Sequence, residues 1–298
     1  MSGDVLIVGA GLAGLAAARD LSAAGRAVTL IDKGRRPGGR AAQREAAGVG
    51  AFEHGLPWVG PEAAGAPFDG FVPWREGARV APAGVGDWTA ALAAPLAPRQ
   101  EVRAVRIAGG PGAWEVEAEG AGILTAAALV LTVPPPQAVL LWPAAAPLLE
   151  GVEMLPCWTL MAAFAAPTGI EPARAAPGDR AIPEHAKPGR AAAPERWTFQ
   201  LDPAASRQML EMDRADAVAP LLERLAALSD RPLPPPVHAR AHRWRYAACA
   251  RPLGRDFAEA DGALLGGDWA PGAPGGLAGG AAAAVRSGRA MAAALLSR

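Results

Sequence analysis

The residues best suited to chemistry open the chain. Gly9-Ala10-Gly11-Leu12-Ala13-Gly14 follows a short apolar run, and an acid, Asp32, stands 18 positions beyond Gly14. Gly9 permits a tight turn, Gly11 lets the backbone approach a pyrophosphate seated on a helix N-terminus, and Gly14 lets helix and strand pack closely. An acid at the tip of the next strand accepts hydrogen bonds from ribose hydroxyls, so the set suits the ADP half of a dinucleotide. Lys33 follows the acid directly, and Gly38-Gly39-Arg40 continues the segment. These glycines let the chain pass close to a ligand, and the arginine offers a planar charged fork to an anion. Near the other end, Gly266-Gly267-Asp268-Trp269 supplies a second acid. Beyond it Gly276, Gly280, Ala284, Gly288 and Ala292 recur every fourth residue. On a helix this spacing makes a stripe almost without side chains, suited to close packing against a cofactor or another helix.

A second group lies in Ala241-His242-Arg243-Trp244-Arg245-Tyr246-Ala247. On a strand His242, Trp244 and Tyr246 point to one face. Tyr246 is the only tyrosine of the chain. Such a face gives shape rather than an acid–base pair, which suits a reaction whose chemistry a cofactor carries. No metal site is expected: His238 and His242 are the one close histidine pair, and nothing near them completes a zinc set. Cys157 and Cys249 form no C-x-x-C and read as buried thiols in a reducing compartment.

The elements that must position these residues follow from the apolar pattern. Asp4 to Val8 reads as a buried strand, Leu15 to Ala24 as an alanine-rich helix closed by Gly25, and Ala27 to Ile31 as a second buried strand. Strand, glycine turn, helix and strand make one βαβ unit. Asp87 to Leu96 reads as a short helix capped by Asp87. Glu101 to Ile107 and Trp114 to Glu119 alternate and form a hairpin, while Ala127 to Val133 suits the middle of a parallel sheet. Trp158 to Ala165, Trp197 to Leu201, Val237 to Tyr246 and Ala263 to Gly266 read as further strands. Asp213 to Leu228 reads as an amphipathic helix, Thr168 to Pro194 as an exposed loop, and the last helix starts near Gly276.

The chain has 298 residues and zero formal net charge, and nearly all its basic residues are arginine. With no basic block and no interleaved aromatic stripe, nucleic-acid binding is not expected. No secretory leader is read ahead of the first strand. The uncharged stretch from Gly120 to Leu149 is broken by Pro134, Pro135 and Pro136, so no membrane span is expected and the protein reads as cytoplasmic.

A mononucleotide fold at the start and a matching cofactor contact at the end imply an inserted substrate domain between them. This organisation resembles the p-hydroxybenzoate-hydroxylase-like and amine-oxidase-like flavoproteins. The expected class is α/β, a Rossmann-like FAD-binding domain with an inserted α+β substrate domain on a mixed antiparallel sheet. The expected divisions are 1–70, 98–145 and 255–298 for the first, and 71–97 and 146–254 for the second. Phe52-Glu53-His54-Gly55, Pro156-Cys157-Trp158, the His242 to Ala247 run and Gly267-Asp268-Trp269 fall in order, and together they resemble the bacterial renalase-type flavoproteins. That resemblance implies non-covalent FAD and oxidation of isomeric dihydronicotinamides by hydride transfer to flavin N5, with O2 reoxidising the flavin to give hydrogen peroxide. It places His54 near the flavin edge, and His242, Trp244 and Tyr246 on the substrate wall. Gly9, Gly11, Leu12, Ala13, Gly14, Asp32, Lys33, Gly39, Arg40, Val105, Gly267, Asp268, Gly276 and Leu277 are the expected FAD contacts. The sequence departs from the family after Gly55, where Leu56-Pro57-Trp58 replaces Ala-Gln-aromatic. Two alternatives share the fold: an FAD-dependent amine oxidase or desaturase, and a flavin-binding protein without turnover. Many amine oxidases place a lysine near flavin N5, and only Lys187 is available for that role here.

Overall fold

Val5-Leu6-Ile7-Val8 has no apolar–polar alternation, which marks a strand covered on both faces. In the computed structural model it lies inside a five-stranded sheet, in the order Ala258–Ala260, Ala263–Leu265, Ala128–Leu131, Val5–Val8, Val28–Ile31. The structure describes residues 5–75, 77–272 and 276–298, with the side chains of 276–279 outside that description. Two units divide the chain: 1–41, 87–154 and 249–298 form one, and 42–86 with 155–248 form the other.

In the first unit the strands from Val5, Val28, Ala128 and Ala263 run parallel. Successive residues of the first strand feed different cores. Val5 and Ile7 pack with Leu15, Leu21, Met291 and Leu295 of the helices Leu12–Ala23 and Gly276–Leu296. Leu6 and Val8 pack with Trp114 and Val116 of an antiparallel sheet formed by Arg103–Gly110, Ala113–Glu119 and Gly122–Ala126. The result is a mostly parallel sheet, with Ala258–Ala260 antiparallel at its edge, between a helical layer and a second sheet. The first helix ends where expected, with Gly25 left-handed at φ +79°.

In the second unit a four-stranded sheet runs in the order Arg180–Pro183, Glu195–Gln200, Glu153–Phe164, Pro236–Arg251. Trp158, Leu160, Ala162 and Phe164 pack with Leu221 and Leu225 of the helix Val218–Ala226. Met161 and Ala163, on the opposite face, meet Ala46 and Phe52.

Several expectations need correction. Asp87 is not a cap: Gly84 turns the chain at φ +107°, the helix Val85–Ala93 begins two residues earlier, and the Glu53 carboxylate accepts the Val85 N–H at 2.8 Å. The stretch 168–194 is not simply an exposed loop, because it contributes the Arg180–Pro183 strand and buries Glu184 and Lys187. The amphipathic helix is shorter than 213–228, since the helix proper begins at Val218. Residues 42–70, expected with the nucleotide-binding part, belong to the second unit, and 87–97 belong to the first. Asp4 lies outside the described residues. No helix among the described residues is long and apolar enough to cross a membrane.

Candidate functional site

The glycine turn divides into positions the protein needs and one it leaves open. Gly9 is left-handed at φ +110°, and a Cβ on Gly14 would stand 1.9 Å from the Gly9 carbonyl oxygen. Both positions therefore demand glycine for packing. Gly11 has φ −73°, and a Cβ there would meet nothing within 4 Å. It precedes the helix Leu12–Ala23, whose first turn carries no side-chain cap. Uncapped N–H groups beside an open approach are what a phosphate requires. Asp32 fixes the turn, its two carboxylate oxygens accepting the N–H groups of Ala10 at 2.7 Å and Gly34 at 2.6 Å. Each oxygen keeps capacity for a further donor such as a ribose hydroxyl. The chain passes back over the turn at Gly38, whose N–H reaches the Ala10 carbonyl at 2.8 Å, and a Cβ on Gly39 would stand 3.2 Å from Gly11 Cα.

Arg40 and Asp268, 228 positions apart, form a two-point ion pair: Nη1 donates to Oδ2 at 2.8 Å and Nη2 donates to Oδ1. Burial works against the Arg40 charge, but the Asp268 carboxylate outweighs it and raises the guanidinium above its ordinary value. Gly280 lies against this carboxylate, since a Cβ there would stand 2.9 Å from Asp268 Oδ2. Further along the stripe, a Cβ on Gly288 would stand 2.1 Å from the Ala13 carbonyl oxygen. The stripe thus serves helix-to-helix packing at Gly288 and lies against the site acid at Gly280. Burial, and next the Asp268 charge, push the Cys249 thiol up to about 11, so it stays protonated. Leu12 and Ala13 are buried in the first helical turn, Lys33 donates to Gln137 Oε1 at 3.1 Å, and Val105 is exposed on its strand. The Gly267 N–H donates to Ser287 Oγ at 3.0 Å. Gly276 and Leu277 open the last helix, and their side chains lie outside the described residues.

The second unit gathers most of the other group. The His54 ring centroid lies 4.8 Å from that of His242 and 5.4 Å from that of Trp244, and His242 and Trp244 are 4.4 Å apart. Trp244 Nε1 donates to the His54 carbonyl at 2.8 Å. Tyr246 shares the strand face by alternation, but no described ring contact joins it to the trio. Burial lowers His54 to about 3, with the neighbouring His242 and the Arg44 charge adding to the shift. Burial, then Arg214, Arg44 and Arg240, lower His242 to about 4. At neutral pH both rings are therefore uncharged, and the trio is a neutral aromatic surface in a positive field.

Sequence reasoning missed the buried ion pairs formed by Glu53, the residue before His54. Lys187 Nζ donates to Glu53 Oε2 at 2.6 Å and pairs with Glu184 Oε2 at 2.9 Å, with its side chain 1% exposed. Arg190 Nη2 donates to Glu53 Oε1 at 2.6 Å. One signal was present: in a chain whose cations are almost all arginine, a lysine in mid-chain is an anomaly.

Residues 7–65 match a family model described as an NAD(P)-binding Rossmann-like domain. Among curated proteins, (S)-6-hydroxynicotine oxidase of Paenarthrobacter nicotinovorans is 52% identical over 46 residues, which is 15% of this chain and 11% of that oxidase. Among solved structures, putrescine oxidase superposes with a TM-score of 0.72 at 13% identity, covering all of both chains. Cyclohexylamine oxidase of Brevibacterium oxydans gives the same TM-score, identity and coverage. The chain therefore has the amine-oxidase-like fold, built on a Rossmann-like dinucleotide-binding unit.

Proposed function

We propose that the protein is an FAD-dependent oxidoreductase that oxidises a small molecule. The observation that carries this reading is the open approach to Gly11 at an uncapped helix start, with Asp32 and the Arg40–Asp268 pair in the same unit. Gly11, Gly39 and the first helical turn would hold the pyrophosphate, Asp32 the ribose, and Arg40 with Asp268 the remainder. When bound, the flavin supplies a two-electron acceptor for a hydride. The chain's own residues bind and orient the partners and keep charge balanced. The related proteins are named as oxidases, and O2 is the acceptor that closes the cycle, taking two electrons and two protons to hydrogen peroxide.

For the donor we propose a reduced nicotinamide dinucleotide, as in renalase-type oxidases. The half-buried, neutral His242 and Trp244 rings, with His54 packed against both, suit a flat ring, and the charges acting on His242 are those of Arg214, Arg44 and Arg240. A positive field attracts a donor bearing phosphates and repels an ammonium. Lys187 is buried between two carboxylates, which weighs against a lysine-assisted amine route. The amine reading keeps one argument of its own, the likeness in fold to putrescine and cyclohexylamine oxidases. Loading the purified protein with FAD and offering each donor class without oxygen separates the two: bleaching by dihydronicotinamides supports the first, and bleaching by primary amines alone supports the second.

A further inference from the structure

Three consecutive residues, Glu53, His54 and Gly55, are each held by a buried or half-buried side chain from a different segment. The Glu53 N–H donates to Glu184 Oε1 at 3.3 Å, Trp244 Nε1 donates to the His54 carbonyl at 2.8 Å, and Gln200 Nε2 donates to the Gly55 carbonyl at 2.7 Å. The first of these holds depends on Lys187. Glu184 is itself fixed by Thr198 Oγ1 at 2.8 Å and by Lys187, and Lys187 bridges it to the Glu53 side chain. Glu53 is pinned at its other oxygen by Arg190 and by the Val85 N–H. Two carboxylates and two cations thus form a buried ion group anchored on Glu53, the residue before His54.

A buried ion group of this kind seldom stabilises a fold more than apolar packing of the same volume would. What it supplies is a fixed geometry. We propose that Lys187, acting through Glu53 and Glu184, is a positioning residue for His54; this rests on reading His54 as part of the donor site. Without the ammonium, the two carboxylates face each other with no shared cation. Repulsion then moves Glu184 away from the Glu53 N–H, and the His54 ring loses its register against His242 and Trp244.

The test uses the FAD-loaded, full-length protein with Lys187→Met and Lys187→Arg. The histidine side-chain NMR signal of His54, assigned by its loss in His54→Gln, reports ring placement without any donor. Flavin reduction by the donor that works on the parent protein reports function. Lys187→Met is expected to shift the His54 signal and to slow reduction at saturating donor by about 10-fold or more, since displacements near 1 Å cost rate on that scale. Lys187→Arg, which restores a shared cation, is expected to recover both. If Lys187→Met does not fold, Glu184→Ala, which removes the acceptor of the Glu53 N–H that Lys187 holds in place, is expected to give the same signal shift, and an unchanged signal overturns the proposal. The proposal is overturned if the folded variant loses thermal stability while the His54 signal and the rate stay unchanged, or if Lys187→Arg restores neither. Should no donor reduce the parent protein, the donor reading fails, and the NMR signal still decides the role of Lys187.

Discussion

At Gly11 the protein leaves a space that it does not itself fill, whereas Gly9 and Gly14 face its own atoms. This separates binding from folding at single-residue resolution. Gly11→Ala should leave the thermal midpoint of the cofactor-free protein unchanged and weaken FAD by about 10-fold, or 1.4 kcal/mol, measured by fluorescence titration. Gly14→Ala should destabilise the protein itself, because its Cβ would collide with the Gly9 carbonyl. The histidines give a pH signature. Their folded values of about 3 and about 4 lie below the ordinary 6.5. The unfolded chain therefore binds more protons through that window, and stability rises with pH across it. The contribution is fully present above 6.5 and is lost as pH falls towards 4 and then 3. In denaturant unfolding, His54→Gln with His242→Gln should flatten the slope by up to about 1.4 kcal/mol per pH unit for each histidine. The glycines and Asp32 were legible in the sequence because their spacing reports a local turn. The trio of His54, His242 and Trp244 was legible only in part: alternation puts His242 and Trp244 on one face, but nothing local brings a residue 188 positions away beside them.

The C-terminal helix reads differently from the turn. Its small-residue stripe allowed two partners in the sequence, and the structure uses Gly288 for close approach to the first helix. Gly288→Ala should lower stability by about 1–3 kcal/mol, the usual cost of overpacking, in urea unfolding of the cofactor-free protein. Other elements escaped notice for identifiable reasons. Asp261-Gly262, with φ +49° and +88°, turns a short hairpin between Ala258–Ala260 and Ala263–Leu265; the second strand is legible as an apolar run, but the first, three residues long, carries too little alternation to be read. The 168–194 stretch looked like a loop because its composition is that of a loop. Its burial comes from Glu184 and Lys187 finding Glu53, a pairing that only the tertiary fold provides.

Across the whole molecule, each unit is discontinuous, and the one that carries the glycine turn combines the segments 1–41, 87–154 and 249–298. A ligand that binds only the folded form stabilises it by mass action, so FAD at about 100 times its dissociation constant should add roughly 2.7 kcal/mol. Calorimetry with and without FAD checks this, and Gly11→Ala should reduce the gain. The central claim is that this fold holds a flavin that a reduced nicotinamide dinucleotide can reduce. The most direct measurement is anaerobic mixing of the FAD-loaded protein with isomeric dihydronicotinamide dinucleotides and, separately, with primary amines, while the visible absorbance of oxidised flavin is followed. Rapid bleaching by a dihydronicotinamide, reversed on admitting oxygen with release of hydrogen peroxide, is the expected result. Bleaching by amines alone, or by no donor although FAD stays bound, would contradict it.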